Sequence, residues 1–254
     1  MLVAANLTVL LALTPTWLNL VHSKDHANIS PLQEAVSYEE RSFDLKPIYL
    51  DKNTPNPDKI NELNGPPRKE LESAWGTLMQ YQNIRLTKKE LGQFRNDDSI
   101  VELADGTGYW STVSVFHGLH CVERLHHILY SETYYPNLSA NDTFTLKRHT
   151  EHCLDWLRHY IQCNVDTTLI PIHWEADSPG PVATDAGKHK CVAWDPVYEW
   201  MARHSFNPSQ PGLLIHPLFG DSYHNGSQGH GHSLGITPLG KGGVLLHGSS
   251  GKRQ

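Results

Sequence analysis

The chain has 254 residues, enough for one domain of ordinary size with unstructured ends and too few for two large domains. With 21 basic against 27 acidic residues, its formal net charge of -6 supplies no bulk positive field to collect nucleic acid, so no nucleic-acid partner is expected. Histidine is the outlier, with 17 copies beside only 4 cysteines, and makes metal chemistry the first question.

From Met1 to Val21 no residue is charged, and Leu2, Leu7, Leu10, Leu13, Trp17 and Leu20 make the start apolar. Spanning a bilayer takes about 20 apolar residues, which this stretch just supplies, while Thr14-Pro15-Thr16 would break a buried helix. Residues 1–22 therefore read as an N-terminal membrane or signal segment, with a signal anchor and a cleaved signal peptide fitting equally well. Asn28, Asn137, Asn141 and Asn225 begin sequons and are glycosylation candidates; Asn6 begins another inside the apolar segment and is expected to stay bare. Together these features favour a membrane-associated protein, or a secreted one if the segment is cleaved, with its bulk on the lumenal side of the secretory pathway.

Residues 23–69 mix Pro, Asn, Asp and Lys with no lasting period, as in Thr54-Pro-Asn-Pro-Asp58, and read as a linker or stalk. The working domain is expected over residues 70–206. It opens on a helical stretch from Lys69 to Met79. Thr87, with Glu90 three residues on, signals a capping box and another short helix. Two stronger helix patterns follow a turn at Asp105-Gly-Thr-Gly108. The first runs from about Thr112 to Tyr130 on Val115, Phe116, Leu119, Val122, Leu125 and Leu129; the second runs from about Asp142, as N-cap, to Cys163 on Phe144, Leu146, Leu154, Trp156, Leu157 and Ile161. The loop between them lets the pair fold back antiparallel. Trp194 to Arg203 reads as a last helix, and no strand alternation is sustained. The expected fold is mainly α, a small helical domain with long loops. Residues 207–254, rich in Gly, Ser and His, are expected to form a disordered, solvated tail.

The two long helices carry the same word: His117-Gly-Leu-His120-Cys121 and, 32 positions later, His149-Thr-Glu-His152-Cys153. Composition alone predicts roughly 0.02 such words by chance. On a helix, positions i, i+3 and i+4 share a face, so each word presents two imidazoles and a thiol together. If the helices pack about 8–10 Å apart, His117, His120, His149 and His152 converge as metal ligands and as the catalytic centre. Imidazole suits copper and zinc, and the lack of a carboxylate facing each pair disfavours non-haem iron. Cys121 and Cys153 are either thiolate ligands or disulfide partners, whereas Cys163 and Cys191 are the favoured disulfide pair. His126, His127, His159 and His173 read as surface or supporting residues. Glu151 and Asp166 are candidates to orient an imidazole, with a solvated role the simpler one for Glu151.

These words, with Gly108-Tyr109, Val115-Phe116, Asp155-Trp-Leu-Arg158, Cys163-Asn-Val-Asp166 and Cys191-Val-Ala-Trp-Asp195, closely resemble the UstYa-like family of fungal mycotoxin-biosynthesis oxidases. The resemblance spans about residues 75–200. It implies a membrane-anchored, copper-dependent oxidase of secondary metabolism that oxidises or cyclises a ribosomally made precursor peptide, and other members hydroxylate or halogenate. A second UstYa-like protein is an expected partner. The alternative is a non-catalytic zinc-stabilised accessory protein that scaffolds another oxidase of the pathway. Metal-assisted hydrolysis is disfavoured, because no HExxH word is present.

Overall fold

The computed structural model describes residues 30–222 except 45, 53, 175, 177 and 178. Its helices are α1 (Lys69–Met79), α2 (Ser114–Leu129), α3 (Ser131–Tyr134), α4 (Ala140–Cys163) and α5 (Trp194–His204). Its strands are β1 (Tyr38–Arg41), β2 (Ile84–Leu86), β3 (Tyr109–Ser111), β4 (Ile172–His173), β5 (Val182–Ala183), β6 (His189–Val192), β7 (Ile215–His216) and β8 (Gly220–Asp221).

α1 forms because Leu71, Trp75 and Met79 recur every fourth residue and bury one stripe, while Glu70 and Glu72 in its first turn complement the positive end of the helix dipole. That stripe meets Phe116 of α2, Trp200 and Met201 of α5, and Ile84 and Leu86 of β2 in the main core. Each such apolar side chain contributes about 1.5–3 kcal/mol when fully buried. α4 begins on a reciprocal cap. Ser139 Oγ accepts from the Asp142 backbone N–H at 3.1 Å and donates to Asp142 Oδ2 at 2.7 Å. Ser139 is therefore the N-cap, three residues before the expected Asp142. At Thr87 the capping-box bonds form, with the Thr87 N–H reaching Glu90 Oε2 at 2.7 Å. They close turns that lead into a 3-10 turn at Gly92–Phe94, and no α-helix follows.

The mainly α expectation is corrected. Among the described residues, eight short strands pair into four two-stranded antiparallel sheets, β1–β6, β2–β3, β4–β5 and β7–β8. Strands of two to four residues cannot show the period-2 alternation by which sequence announces a sheet. Several are held by backbone contacts instead. Gly108, at φ +144, lets β3 approach β2 so closely that a Cβ there would sit 2.6 Å from the Leu86 carbonyl oxygen. The expected N-terminal membrane or signal segment finds no support in the described residues. No helix among the described residues is long and apolar enough to cross a membrane, and residues 1–22 lie outside those described, as do Asn28 and Asn225.

The folded unit extends past both expected boundaries. On the N-terminal side, a 3-10 turn at Pro31–Ala35 packs Leu32 and Ala35 on the main core, Glu34 accepts from the Trp200 indole N–H at 2.7 Å, and β1 pairs with β6 from Tyr38↔Val192 to Arg41↔His189. On the C-terminal side, Leu213 and Leu214 join Leu103 and Phe206 in a second core cluster, and the Ala104 N–H donates to the Leu213 carbonyl at 2.9 Å. Residues 207–222 thus belong to the fold, contrary to the expectation of a disordered tail from 207, because two adjacent leucines in a polar stretch suffice to anchor it. Residues 223–254 lie outside those described.

Candidate metal centre

α2 and α4 make the most extensive helix-to-helix contact. α2 turns Phe116, His120, Cys121, Arg124 and His127 inward, and α4 turns Leu146, His149 and Cys153. Across the interface His117 faces His152 with ring centroids 5.6 Å apart, and His120 faces His149 at 5.5 Å. The pairing of a lower number on one helix with a higher on the other means the chain directions oppose. Along each helix the paired rings are 6.3 Å apart for His117–His120 and 6.4 Å for His149–His152. The four imidazoles therefore stand at the corners of a quadrilateral about 6 Å on a side.

This figure has a local two-fold relation. Exchanging the first word for the second turns the His117–His152 contact into the His149–His120 contact, 5.6 Å against 5.5 Å, and the 6.3 Å within-helix spacing into the 6.4 Å one. Cys121 and Cys153 exchange with each other under the same operation. Both are fully buried, and the Cys121 thiol donates to the Cys153 sulfur. The symmetry is imperfect in burial: His149 is 1% exposed, whereas His117 is only half-buried against the Trp156 ring at 4.5 Å. Trp156 comes this close because position 118 is Gly, where a Cβ would lie 3.1 Å from the indole.

Burial, followed by the neighbouring charges of His152 and His149, pushes the His117 pKa down to about 4. This imidazole is neutral at physiological pH and keeps a lone pair. The Cys121 thiol, and after it the His149 ring nitrogen 3.6 Å away, favour the thiolate of Cys153, while the same bond pushes Cys121 up. The His152 Nε2 is buried with no hydrogen-bond partner, an arrangement costly unless something else fills that valence. Donor atoms of His120, His149 and Cys153 lie within 4.8 Å of one another. Neutral imidazole with a thiol sulfur is the donor chemistry that copper and zinc take, so the residues fit a metal ion of that type.

The remaining predicted residues are placed elsewhere. Cys163 is exposed at the end of α4 and Cys191 half-buried on β6, both as free thiols. His127 is buried and stacks on Tyr134 at 4.0 Å, and His126 Nε2 donates to the Gly65 carbonyl at 2.8 Å, so both brace the far end of α2. His159, His173 and Glu151 are exposed. Asn137 and Asn141 are exposed on either side of the α4 cap. Asp166 does orient an imidazole, but that of His189, whose Nδ1–H donates to its Oδ2 at 2.6 Å. His189 is buried, stacked on Phe43 at 3.8 Å, with Asp185 Oδ1 3.0 Å from its Nε2. Sequence reasoning gave this cluster no weight, because its members come from the presumed linker, a loop and a strand edge, with no shared period.

The family model described as mycotoxin biosynthesis protein UstYa matches residues 1–204. Among curated relatives, the UstYa family oxidase phomYd of Diaporthe leptostromiformis is 28% identical over 237 residues, 82% of this chain and 77% of its own length. The UstYa family oxidase aprY of Aspergillus flavus is 25% identical over 76% of this chain, which spans only 60% of that relative. The oxidase ustYa of Aspergillus flavus is 33% identical over 88 residues, 35% of this chain and 38% of its own. No solved structure matches. Relatives named oxidases support an oxidoreductase role in secondary metabolism. With the family model covering most of the sequence, both motif helices included, the chain belongs to the UstYa family of mycotoxin-biosynthesis proteins.

Proposed function

We propose that the chain is a copper-dependent oxidase that oxidatively modifies or cyclises a ribosomally made precursor peptide. The observation that carries this reading is the two-fold-related quartet of His117, His120, His149 and His152, with a buried, unpartnered nitrogen on His152. His117, His120, His149 and His152 would hold the metal. Copper on imidazole ligands supplies one-electron redox chemistry with dioxygen as the oxidant, which zinc does not.

The protein's own part is positioning and exclusion of water. Trp156 walls one side of His117, and burial keeps that ring neutral. Just past α4, the chain presents an apolar surface on which Leu169 is 83% and Trp174 78% exposed, with Ile170 and Ile172 beside them. Such a surface suits an extended peptide with apolar or aromatic side chains. The exposed sequons at Asn137 and Asn141 support a setting in the lumen of the secretory pathway. A second UstYa-like protein is the proposed partner, in line with the several distinct family oxidases of Diaporthe leptostromiformis that the chain matches.

Alanine variants of the four histidines, each measured for copper content, oxygen consumption and circular dichroism, test the reading. Folded variants that lose copper and stop consuming oxygen are expected. Two or more that keep full copper and full activity overturn it, and stoichiometric zinc without oxygen consumption favours the scaffold alternative.

A further inference from the structure

We infer that Arg124 binds a carboxylate of the substrate and so fixes the peptide beside the four imidazoles. Of the buried polar side chains among the described residues, Arg124 alone carries a permanent charge. It is 8% exposed and lies on the inward face of α2 with His120 and Cys121. Buried charges are ordinarily paired, yet no ion pair among the described residues includes Arg124. Its one hydrogen bond among them runs from Nη1 to the Tyr135 hydroxyl at 2.7 Å, a neutral acceptor. That leaves the Nε and Nη2 edge, the fork that grips a carboxylate side-on. Arg158 shows the same edge in use, its Nε and Nη2 both donating to Asp155, at 3.1 and 2.7 Å. In Arg124 neither nitrogen of that edge is sealed from solvent, so a ligand can reach it.

The motif sets the place. Arg124 follows His117 by seven residues, as Trp156 follows His149. Each thus lies one turn beyond the second histidine of its word, His120 or His152, about 6 Å along the helix axis. The quartet therefore has an indole past its His117–His152 end and a guanidinium past its His120–His149 end. A substrate lying across the centre meets an apolar wall at one end and a cation at the other. The ligand that fits is an apolar or aromatic peptide with a carboxylate, from its C-terminus or from an acidic side chain. Its anion supplies the charge that the fold leaves out, which relieves a buried cation otherwise costly to keep. The opposite account, a buried stem with its head held in water, gives no preference for an acid. The inference deepens the proposed function and rests on its peptide substrate, not on the metal.

Isothermal titration calorimetry of the full, metal-free chain tests this with three probes: N-acetyl-Phe-Leu, its C-terminal amide, and N-acetyl-Phe-Glu-Leu amide. At least one of the two acids is expected to bind roughly 10–100-fold tighter than the uncharged amide. Whichever acid binds tighter tells whether the site takes a chain terminus or a side chain, and either order supports it. Arg124→Met, which keeps the packing of the stem, should erase the preference. The inference is overturned if neither acid binds better than the amide, or if Arg124→Met keeps the preference. Should that variant not fold, Arg124→Lys decides. It retains the charge and loses the fork, so the preference must shrink, and an unchanged preference overturns the inference. Because no copper enters the titration, the acid preference survives a failure of the oxidase reading. Copper-dependent oxygen consumption by a chain without that preference sinks only the role of Arg124.

Discussion

Between α2 and α4 the imidazoles face mainly one another, and the charges that act on His117 are those of His152 and His149. At the β1–β6 edge, His189 is held between the carboxylates of Asp166 and Asp185 with Phe43 stacked on its face. Both places bury histidine, yet the consequences run in opposite directions. At the first, burial and like charge drive His117 down to about 4. At the second, the hydrogen bond to Asp166 outweighs burial and raises His189 above its usual value. The neighbours' charge, more than depth, decides whether a buried histidine is prepared as a neutral ligand or kept as a structural cation.

Substituting one residue from each place should separate these roles. His149→Ala is expected to lower turnover more than about 100-fold, beyond the 10–100-fold typical when a group that merely supports a ligand is lost, and to lower metal content with it. His189→Ala is expected to lower Tm while leaving metal content per folded molecule unchanged. Metal analysis beside thermal unfolding checks both. A His189→Ala protein that folds normally but binds no metal would erase the distinction.

A cut through the framework should weaken both places at once. Deletion from Gly212 onward removes Leu213 and Leu214 from their core cluster, together with the β7–β8 hairpin. Losing buried leucines costs about 2–5 kcal/mol each when they are truncated to alanine, so the shortened chain should lose at least about 4 kcal/mol of unfolding free energy, read by denaturant titration. A midpoint unchanged by the deletion would show that these leucines add nothing to the core.

The contrast between the motif and this C-terminal stretch shows what the sequence could disclose. A doubled word at helical spacing carries its own geometry, because i, i+3 and i+4 fix a face and a repeat fixes a symmetric partner; all four motif histidines were legible, and α2 and α4 were placed to within two residues. Leu213 and Leu214 have no periodic company, and a boundary drawn on composition cut them off. The His189 cluster was hidden for a related reason. Phe43 and His189 lie beside the pairing of β1 with β6, whose register nothing local encodes, and Asp166 and Asp185 reach His189 from the loops between α4 and β6. Two-residue strands such as β4 and β7 are likewise fixed by tertiary contact.

The charge contrast has a smaller consequence that pH can read. His189 is raised in the folded state, so its contribution is fully present below the ordinary value of 6.5 and is lost as pH rises through the folded value. Asp166 is lowered to about 2, chiefly by backbone and side-chain hydrogen bonds from Thr168 and His189, so its contribution is present above 3.8 and is lost as pH falls toward 2. The cluster should therefore favour the fold most between those limits and fade on the alkaline side of 6.5. Asp166→Asn should flatten that alkaline decline of Tm. An equally steep decline in the variant would assign it to other groups.

The smallest effect is expected inside the motif, at the Gly118 that lets Trp156 lie against His117. Gly118→Ala brings two opposed terms. A helix interior gains about 0.8–1.0 kcal/mol on exchange of Gly for Ala, and crowding a packed contact costs about 1–3 kcal/mol. The new Cβ would meet the Trp156 ring at 3.1 and 3.4 Å, a crowding of a few tenths of an ångström that falls on a side chain and not on backbone. Trp156 is only half-buried and stacks on Tyr160 at 4.9 Å along its own helix, so its ring has solvent on one side into which to tilt. The terms should then nearly cancel, leaving a change of about 1 kcal/mol or less in unfolding free energy. A loss above about 3 kcal/mol would mean that the indole cannot yield. In that case the wall beside His117 is as rigid as the helix carrying it, and glycine in the first word is a steric requirement of the centre.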